Sequence, residues 1–207
     1  MEMNQWISLL ERELAAPLPG LQAQLIMSPS GRRPVPGDTP LKNSGVLILL
    51  FPYRKLLHLV FIKRAEYEGI HSGQVSFPGG MYEKGDRSLQ YTALRETLEE
   101  TGVPVDAARI LGRLTPLHIP VSNINVFPFV AVCQERPDFS PDPLEVQYLI
   151  ETSLDKLMDP VNHKVKIMNI SGSTIEVPYF DMGKDHIWGA TAMILSEFLE
   201  IARKIIC

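Results

Sequence analysis

Three glutamates, Glu96, Glu99 and Glu100, crowd the short stretch TALRETLEETG, with a single arginine, Arg95, among them. At about 100° per residue the three fall on one face of a helix. An ordinary solvated acidic face is the plain explanation, but the local charge balance argues against it. Glu96 and Glu100 form a like-charged i,i+4 pair, which destabilises a helix by roughly a few tenths of a kcal/mol. Arg95 reaches Glu99 at i+4, whereas Glu100 has only Glu96, Thr97, Val103 and Pro104 at the neighbouring helical positions. Carboxylates gathered on a rigid element are hard oxygen donors of the kind Mg²⁺ or Mn²⁺ takes, and such a cation removes their repulsion. Upstream, Pro78-Gly79-Gly80 closes the segment QVSF with a tight turn. That turn can bring a bare backbone carbonyl close to the helix. A carbonyl beside three carboxylates is a partial oxygen shell with room for water and a substrate phosphate.

These groups are useful only if the surrounding elements hold them. A helix over about 87–101 carries the glutamates, with Tyr91, Leu94 and Leu98 on the opposite face to pack on a sheet and Gly102 as its stop. Apolar and β-branched runs predict strands at 45–51 and 56–63, joined by PYRK as a hairpin, and at 108–115, 124–134 and 146–152. Two more are expected at 163–170 and 174–180, with SGS as the turn between them. A first helix has apolar spacing at Trp6, Leu9, Leu10 and Leu14, and a last, amphipathic helix runs over about 188–205, interrupted by Glu197, Glu200, Arg203 and Lys204. The proline- and glycine-rich residues 16–40 read as an irregular arm and not as a packed element. Strands and helices mix without a strict βαβ repeat, so the chain reads as α+β around a mixed sheet. The domain organisation expected is an N-terminal helix and proline-rich arm over 1–40, then the main domain over 41–207.

Composition narrows the function classes. The chain has 207 residues, 45% of them hydrophobic, enough for a full core. A net charge of −4 and a pI near 5.7 argue against a nucleic-acid partner bound through a broad basic surface. The most apolar run, GVLILLF, is far too short to span a bilayer, so no membrane partner is expected. The first residues carry acids from Glu2 onward and do not read as a secretory signal. Cys133 and Cys207 lie far apart and form no metal-ligand pattern, and Cys133 sits in an apolar run as a small core residue. A reducing cytoplasm is the location expected. His71 and His118 have no ligand spacing to other histidines and read as structural or exposed. Arg32 and Arg33, in the arm, offer at most a flexible phosphate contact.

Arg95-Glu96-Thr97-Leu98-Glu99-Glu100-Thr101-Gly102-Val103 resembles the second half of the Nudix box. The box reads G, five residues, E, seven residues, then R-E-U-x-E-E-x-G-U, with U bulky and apolar; Thr97 takes the first apolar place. Counting from Gly80, the acid after five residues is Asp86, and eight residues separate it from Arg95. Aspartate there, with one extra residue, looks like the coenzyme A diphosphatase branch of the family. HSGQVSFPGG (71–80), TALRE (92–96), IWGATAMIL (187–195) and the Arg64-Ala65 pair resemble that branch's segments too. The branch carries an arginine between that pair and GQVSFPGG, where this chain has Gly69. The likeness runs from about residue 44 to 200.

The resemblance implies a Nudix-like α/β/α sandwich and a hydrolase that splits the diphosphate of coenzyme A or a related nucleoside diphosphate derivative. Glu96, Glu99 and Glu100 would hold Mg²⁺ or Mn²⁺, with the Gly79 carbonyl as a further oxygen ligand. Arg95 would orient the carboxylates through a salt bridge, and Asp86 would brace the loop. Glu96 is one candidate general base. Glu145, in DPLEVQYL, is the other and is similar to the distal acid that many members bring to the metal cluster. Arg64 and Gly80 are the positions implied to meet the substrate, a small nucleotide. A broader activity on sugar nucleotides, dinucleotides or oxidised nucleoside triphosphates is the alternative. A catalytically silent nucleotide sensor should have lost a box carboxylate, and all three are present. The sequence leaves open whether the chain forms a homodimer.

Overall fold

The structure is a computed structural model and describes residues 3–31, 41–66, 73–170 and 173–206. Arg32, Arg33, Gly69 and His71 lie outside the described residues. In chain order the elements are α1 (Met3–Ala15), α2 (Gly20–Leu25), β1 (Lys42–Tyr53), β2 (Leu56–Arg64), β3 (Val75–Ser76), β4 (Gly79–Met81) and α3 (Leu89–Thr101). They continue with β5 (Arg109–Arg113), β6 (Leu117–Ile119), β7 (Ile124–Val132), β8 (Val146–Ser153) and α4 (Leu154–Met158). The last are β9 (His163–Ile170), β10 (Ser173–Asp181), β11 (His186–Trp188) and α5 (Gly189–Ile206).

The main sheet is ordered β3-β2-β1-β7-β5, with β4 also paired to β1, β6 to β7 and β8 to β2. β1 and β7 run parallel, and the other pairs run antiparallel. β9, β10 and β11 form a second, antiparallel sheet. β1 is covered on both faces, which is why its sequence is a continuous apolar run and not an alternating one. Leu47, Leu49 and Phe51 join Val60, Ala93, Leu94 and Phe129 under α3. Ile48 and Leu50 point the other way and join Leu59 and Phe61 of β2, Trp6 and Leu10 of α1, and Phe198 and Ile201 of α5. The result is the α/β/α sandwich of the α+β class, with a mixed sheet between helices.

Three local features differ from the sequence reading. α3 is turned so that Ala93, Thr97, Glu100 and Thr101 face the sheet, while Leu98 is 40% exposed. Small side chains on that face let α3 lie close to β1: a Cβ on Gly45 would stand 2.3 Å from the Leu89 carbonyl. Residues 16–31 are not wholly irregular, because they contain the packed turn α2, with Ala23 and Gln24 buried. Glu197 does not lie on an outer face but is fully buried. It accepts hydrogen bonds from the Gly20 N–H (3.1 Å), Gln24 Nε2 (2.8 Å), the Thr115 N–H (3.3 Å) and Thr115 Oγ1 (2.7 Å). Those bonds anchor α2 to α5 and supply the order that its composition alone does not. The hairpin at PYRK forms as expected, and its two turn residues, Arg54 and Lys55, both have positive φ, 49° and 67°.

Candidate active site

α3 begins at Ser88, whose side chain accepts from the Tyr91 N–H, and ends at Gly102, which takes φ 76°. These caps fix the helix between two loops and set which way its glutamates point. Ahead of the cap, Asp86 accepts from the Glu83 N–H (3.0 Å), Thr92 Oγ1 (2.8 Å), Arg95 Nε (2.9 Å) and Arg95 Nη2 (3.1 Å). The guanidinium holds this carboxyl well below the usual carboxylate range, despite its burial. Arg95 also donates to Glu99 Oε2 (3.0 Å) and the Met81 carbonyl (3.3 Å) and pairs with Glu96 Oε1 at 2.9 Å. One arginine therefore ties the loop at 81–86 to two helix glutamates and fixes their orientation.

The glycine pair sets the other wall. Gly79 takes φ 146°, and a Cβ there would stand 2.4 Å from the Gly45 carbonyl, so a side chain is excluded on both counts. A Cβ on Gly80 would lie 2.3 Å from Glu96 Cδ, so only glycine leaves that carboxylate its place. The Gly79 N–H donates to Glu100 Oε2 at 2.7 Å. Its carbonyl accepts from Arg64 Nη2 at 3.0 Å, and the same nitrogen stands 3.3 Å from Glu100 Oε1. Arg64 Nε donates to Ser76 Oγ at 3.2 Å.

Glu100 is only 1% exposed. Burial pushes its carboxyl up to about 7; Arg64 and the Gly79 N–H pull it down, and Glu96 and Glu145 add to the rise. Glu96 is raised for the same first reason, with Arg95 opposing and Glu99 and Glu145 adding repulsion. Glu145 immediately precedes β8, is exposed, and is pinned by its own carbonyl, which accepts from the Ala65 N–H at 2.8 Å. The structure thus brings Gly79, Gly80, Arg64, Arg95, Glu96, Glu99, Glu100 and Glu145 to one edge of the sheet. His118 stands apart on β6, beside Asn125.

Among the described residues, no three His, Cys, Asp or Glu side chains are gathered closely enough to hold one metal ion. The donor chemistry nevertheless fits a hard divalent cation. Glu96 is repelled by Glu99 and Glu145, and Glu100 by Glu96 and Glu145, and the positive charges now seated on Glu96, Glu99 and Glu100 are the guanidiniums of Arg64 and Arg95. The Arg64–Glu100 pairing was not readable from the sequence, because its members lie on β2 and α3 and no local spacing links them. Its signal was negative: Glu100 lacked a basic neighbour along the helix.

The NUDIX domain family matches residues 41–164. The Uncharacterized Nudix hydrolase NudL of Pectobacterium atrosepticum is 35% identical over 127 residues, covering 61% of this chain and 66% of that protein. The protein of the same description from Yersinia pestis is 33% identical over 137 residues, covering 66% and 68%. The chain spans about two thirds of the length of these relatives. Among solved structures, a MutT/nudix family protein from Enterococcus faecalis aligns with a TM-score of 0.55 at 17% identity, over 80% of this chain and 63% of that one. The NUDIX domain of Shewanella oneidensis NrtR, complexed with ADP ribose, aligns with a TM-score of 0.51 at 14% identity, over 90% and 99%. At such identities the two structures speak for the fold.

Proposed function

The chain belongs to the NUDIX family of hydrolases, and from that premise we propose that it cleaves the diphosphate of coenzyme A, or of a related nucleoside diphosphate derivative, with Mg²⁺ or Mn²⁺. The observation that carries this reading is the crowding of Glu96 by Glu99 and Glu145, and of Glu100 by Glu96 and Glu145, beside Gly79, whose N–H meets Glu100. Glu96, Glu99, Glu100 and Glu145, with the Gly79 carbonyl, would hold the metal. When bound, a divalent cation supplies positive charge for the phosphate oxygens and acidifies a water.

The rest of the work falls to the chain's own groups. Glu96, raised in pKa and left uncovered by Gly80, accepts the proton of the attacking water, with Glu145 as the second candidate for that role. Arg95 holds Glu96 and Glu99 in place and is itself held by Asp86. Arg64 directs its guanidinium to the edge where the substrate phosphate would lie. Coenzyme A is favoured over other diphosphates by Asp86 at the box acid position, the eight-residue spacer and the HSGQVSFPGG and IWGATAMIL segments. Residues 41–207 are the catalytic domain in this reading, with 1–40 as the N-terminal helix and proline-rich arm, the helix sharing its core with α5. Cys133 is buried as a free thiol and pushed up to about 11 by burial, which suits a reducing cytoplasm. Among the described residues, no helix is long and apolar enough to cross a membrane.

The test is a panel of diphosphates incubated with Mg²⁺ or Mn²⁺, with the products identified. Coenzyme A should yield 4′-phosphopantetheine and adenosine 3′,5′-bisphosphate. Turnover of sugar nucleotides or dinucleotides alone would replace the substrate, and no turnover with either metal would end the enzymatic reading.

A further inference from the structure

A cavity of about 330 Å³ lies at the edge where β2 and β3 meet β9 and β11. Its wall includes Lys63, Gln74, Lys166, Lys184, His186 and Trp188. Lys63 follows Phe61 on the side of β2 that packs toward α5, whereas Arg64 reaches Glu100 on the α3 side. The cavity is therefore a separate place from the carboxylate cluster, reached from the next residue of the same strand.

Its charge is unbalanced. Three ammonium groups and an imidazole converge with one carboxylate, Asp185. That carboxylate is already engaged by Lys63 Nζ at 3.2 Å and by the Tyr148 hydroxyl, which donates to its two oxygens at 2.9 and 3.0 Å. Lys166 and Lys184 make no ion pair among the described residues. They rest on aromatic faces instead. Lys166 Nζ stands 5.2 Å from the Tyr179 ring centre and 5.5 Å from that of Trp188, and Lys184 Nζ stands 3.8 Å from the Tyr148 ring centre. Lys166 Nζ is also 3.3 Å from His186 Nδ1. Ring contacts of this kind fix where an ammonium sits but do not neutralise it. Burial lowers the pKa of Lys166, the mark of a cation drawn partly out of water without a counter-anion.

We propose that this cavity binds a phosphomonoester group carried by a nucleotide. A dianionic tetrahedral group is the complement of several convergent lysine point charges, and the volume admits a phosphate with its sugar but not a whole dinucleotide. Lys63 and Arg64 are consecutive, with Cα atoms about 3.8 Å apart. One ligand can thus present a diphosphate to Arg64 and a further phosphate to the lysines around the edge of β3. Where that ligand is the substrate, the inference rests on the coenzyme A reading, since coenzyme A carries a ribose phosphomonoester besides its diphosphate. A separate phosphorylated metabolite would offer the same chemistry.

Calorimetric titration of the full chain, with Mg²⁺ present, tests the cavity directly. Adenosine 3′,5′-bisphosphate should bind roughly tenfold tighter than AMP. That preference should vanish in the Lys166→Met/Lys184→Met double variant and survive in Lys166→Arg/Lys184→Arg, with thermal unfolding used to confirm that both variants fold. Unchanged bisphosphate affinity in the folded methionine variant would overturn the proposal. In kinetic runs, a loss of roughly tenfold in kcat/KM for coenzyme A but not for dephospho-coenzyme A assigns the phosphate to the substrate. Unchanged kinetics with a lost calorimetric preference assigns it to a separate ligand. If coenzyme A is not cleaved at all but the preference is lost, the substrate reading falls and the cavity stands. If coenzyme A is cleaved and the preference persists in the methionine variant, the cavity falls alone.

Discussion

Replacing Glu100 by glutamine should make the protein more stable in the absence of a divalent cation and nearly inactive in its presence. The folded carboxyl titrates at about 7 against an ordinary 4.5, first because it is buried. The unfolded chain therefore releases this proton earlier, so stability falls as pH climbs from about 4.5 to about 7 and stays reduced above that. The difference is worth roughly 3 kcal/mol at about 1.4 kcal/mol per pH unit. Glutamine removes that loss and can still accept from the Gly79 N–H. Its amide nitrogen then confronts Arg64, a donor against a donor, at a cost of about 1–2 kcal/mol. The net gain above pH 7 is about 1–2 kcal/mol, or roughly 2–8 °C in Tm for a chain of this size. Below pH 4.5 the gain should disappear, because Glu100 is then neutral in both states. Thermal unfolding in EDTA from pH 4 to 8, beside turnover at saturating Mg²⁺, measures both halves. Turnover should fall at least about a hundredfold. A Tm below wild type at pH 8 in EDTA would refute the electrostatic reasoning, and near-normal turnover would remove Glu100 from the metal site.

Asp86→Asn should cost about 3 kcal/mol at pH 7, because it breaks a largely buried pair with Arg95. Asp86 has a depressed folded pKa, so its contribution is present above its ordinary 3.8 and lost as pH falls below that. The gap between urea midpoints of variant and wild type should therefore narrow steadily from about pH 4 down to pH 2 without closing, because the folded carboxyl titrates below that range. Replacing Arg54-Lys55 by Asn-Gly should raise stability by about 1–2 kcal/mol without changing turnover, since both residues hold positive φ; an unchanged or lower Tm would contradict this. Glu197→Ala should cost about 3–5 kcal/mol in urea denaturation, because it leaves the donors of Gly20, Gln24 and Thr115 unpaired. A loss under about 1 kcal/mol would mean that water takes the carboxylate's place.

The long strands were legible because burial on both faces leaves an unbroken apolar run over 46–51 in β1, and α3 because its residues repeat at helical spacing and Gly102 stops it. The parallel pairing of β1 with β7 was not legible, since its partners are separated by five other strands and a helix. The rotation of α3 was misjudged only in part: Leu94 is buried as expected, whereas Leu98 is 40% exposed. Packing against the backbone at Gly45 instead selects the small Ala93, Thr97 and Thr101. Glu96, Glu99 and Glu100 could be named from spacing, because a helix sets their geometry locally, whereas Glu145 was named only from the family resemblance. Their counter-charge Arg64, the buried Glu197 network and the lysine cavity each join elements distant in sequence, and no local pattern records such meetings. Glu197 did carry a faint signal, an acid between Ser196 and Phe198 in an otherwise apolar stretch.

The packing of α1 against α5 has a consequence for synthesis. Trp6, Ile7, Leu10 and Leu14 share their buried cluster with Phe198, Ile201 and Ala202 of a helix about 170 residues further along the chain. At a translation rate of about 5–20 residues per second, those side chains wait roughly 10–35 seconds for their partner to leave the ribosome. During that interval a greasy helix has no permanent seat, and a holding chaperone would find it before α5 does. This layer cannot close before α5 is made, and the bonds of buried Glu197 that anchor α2 wait on the same helix.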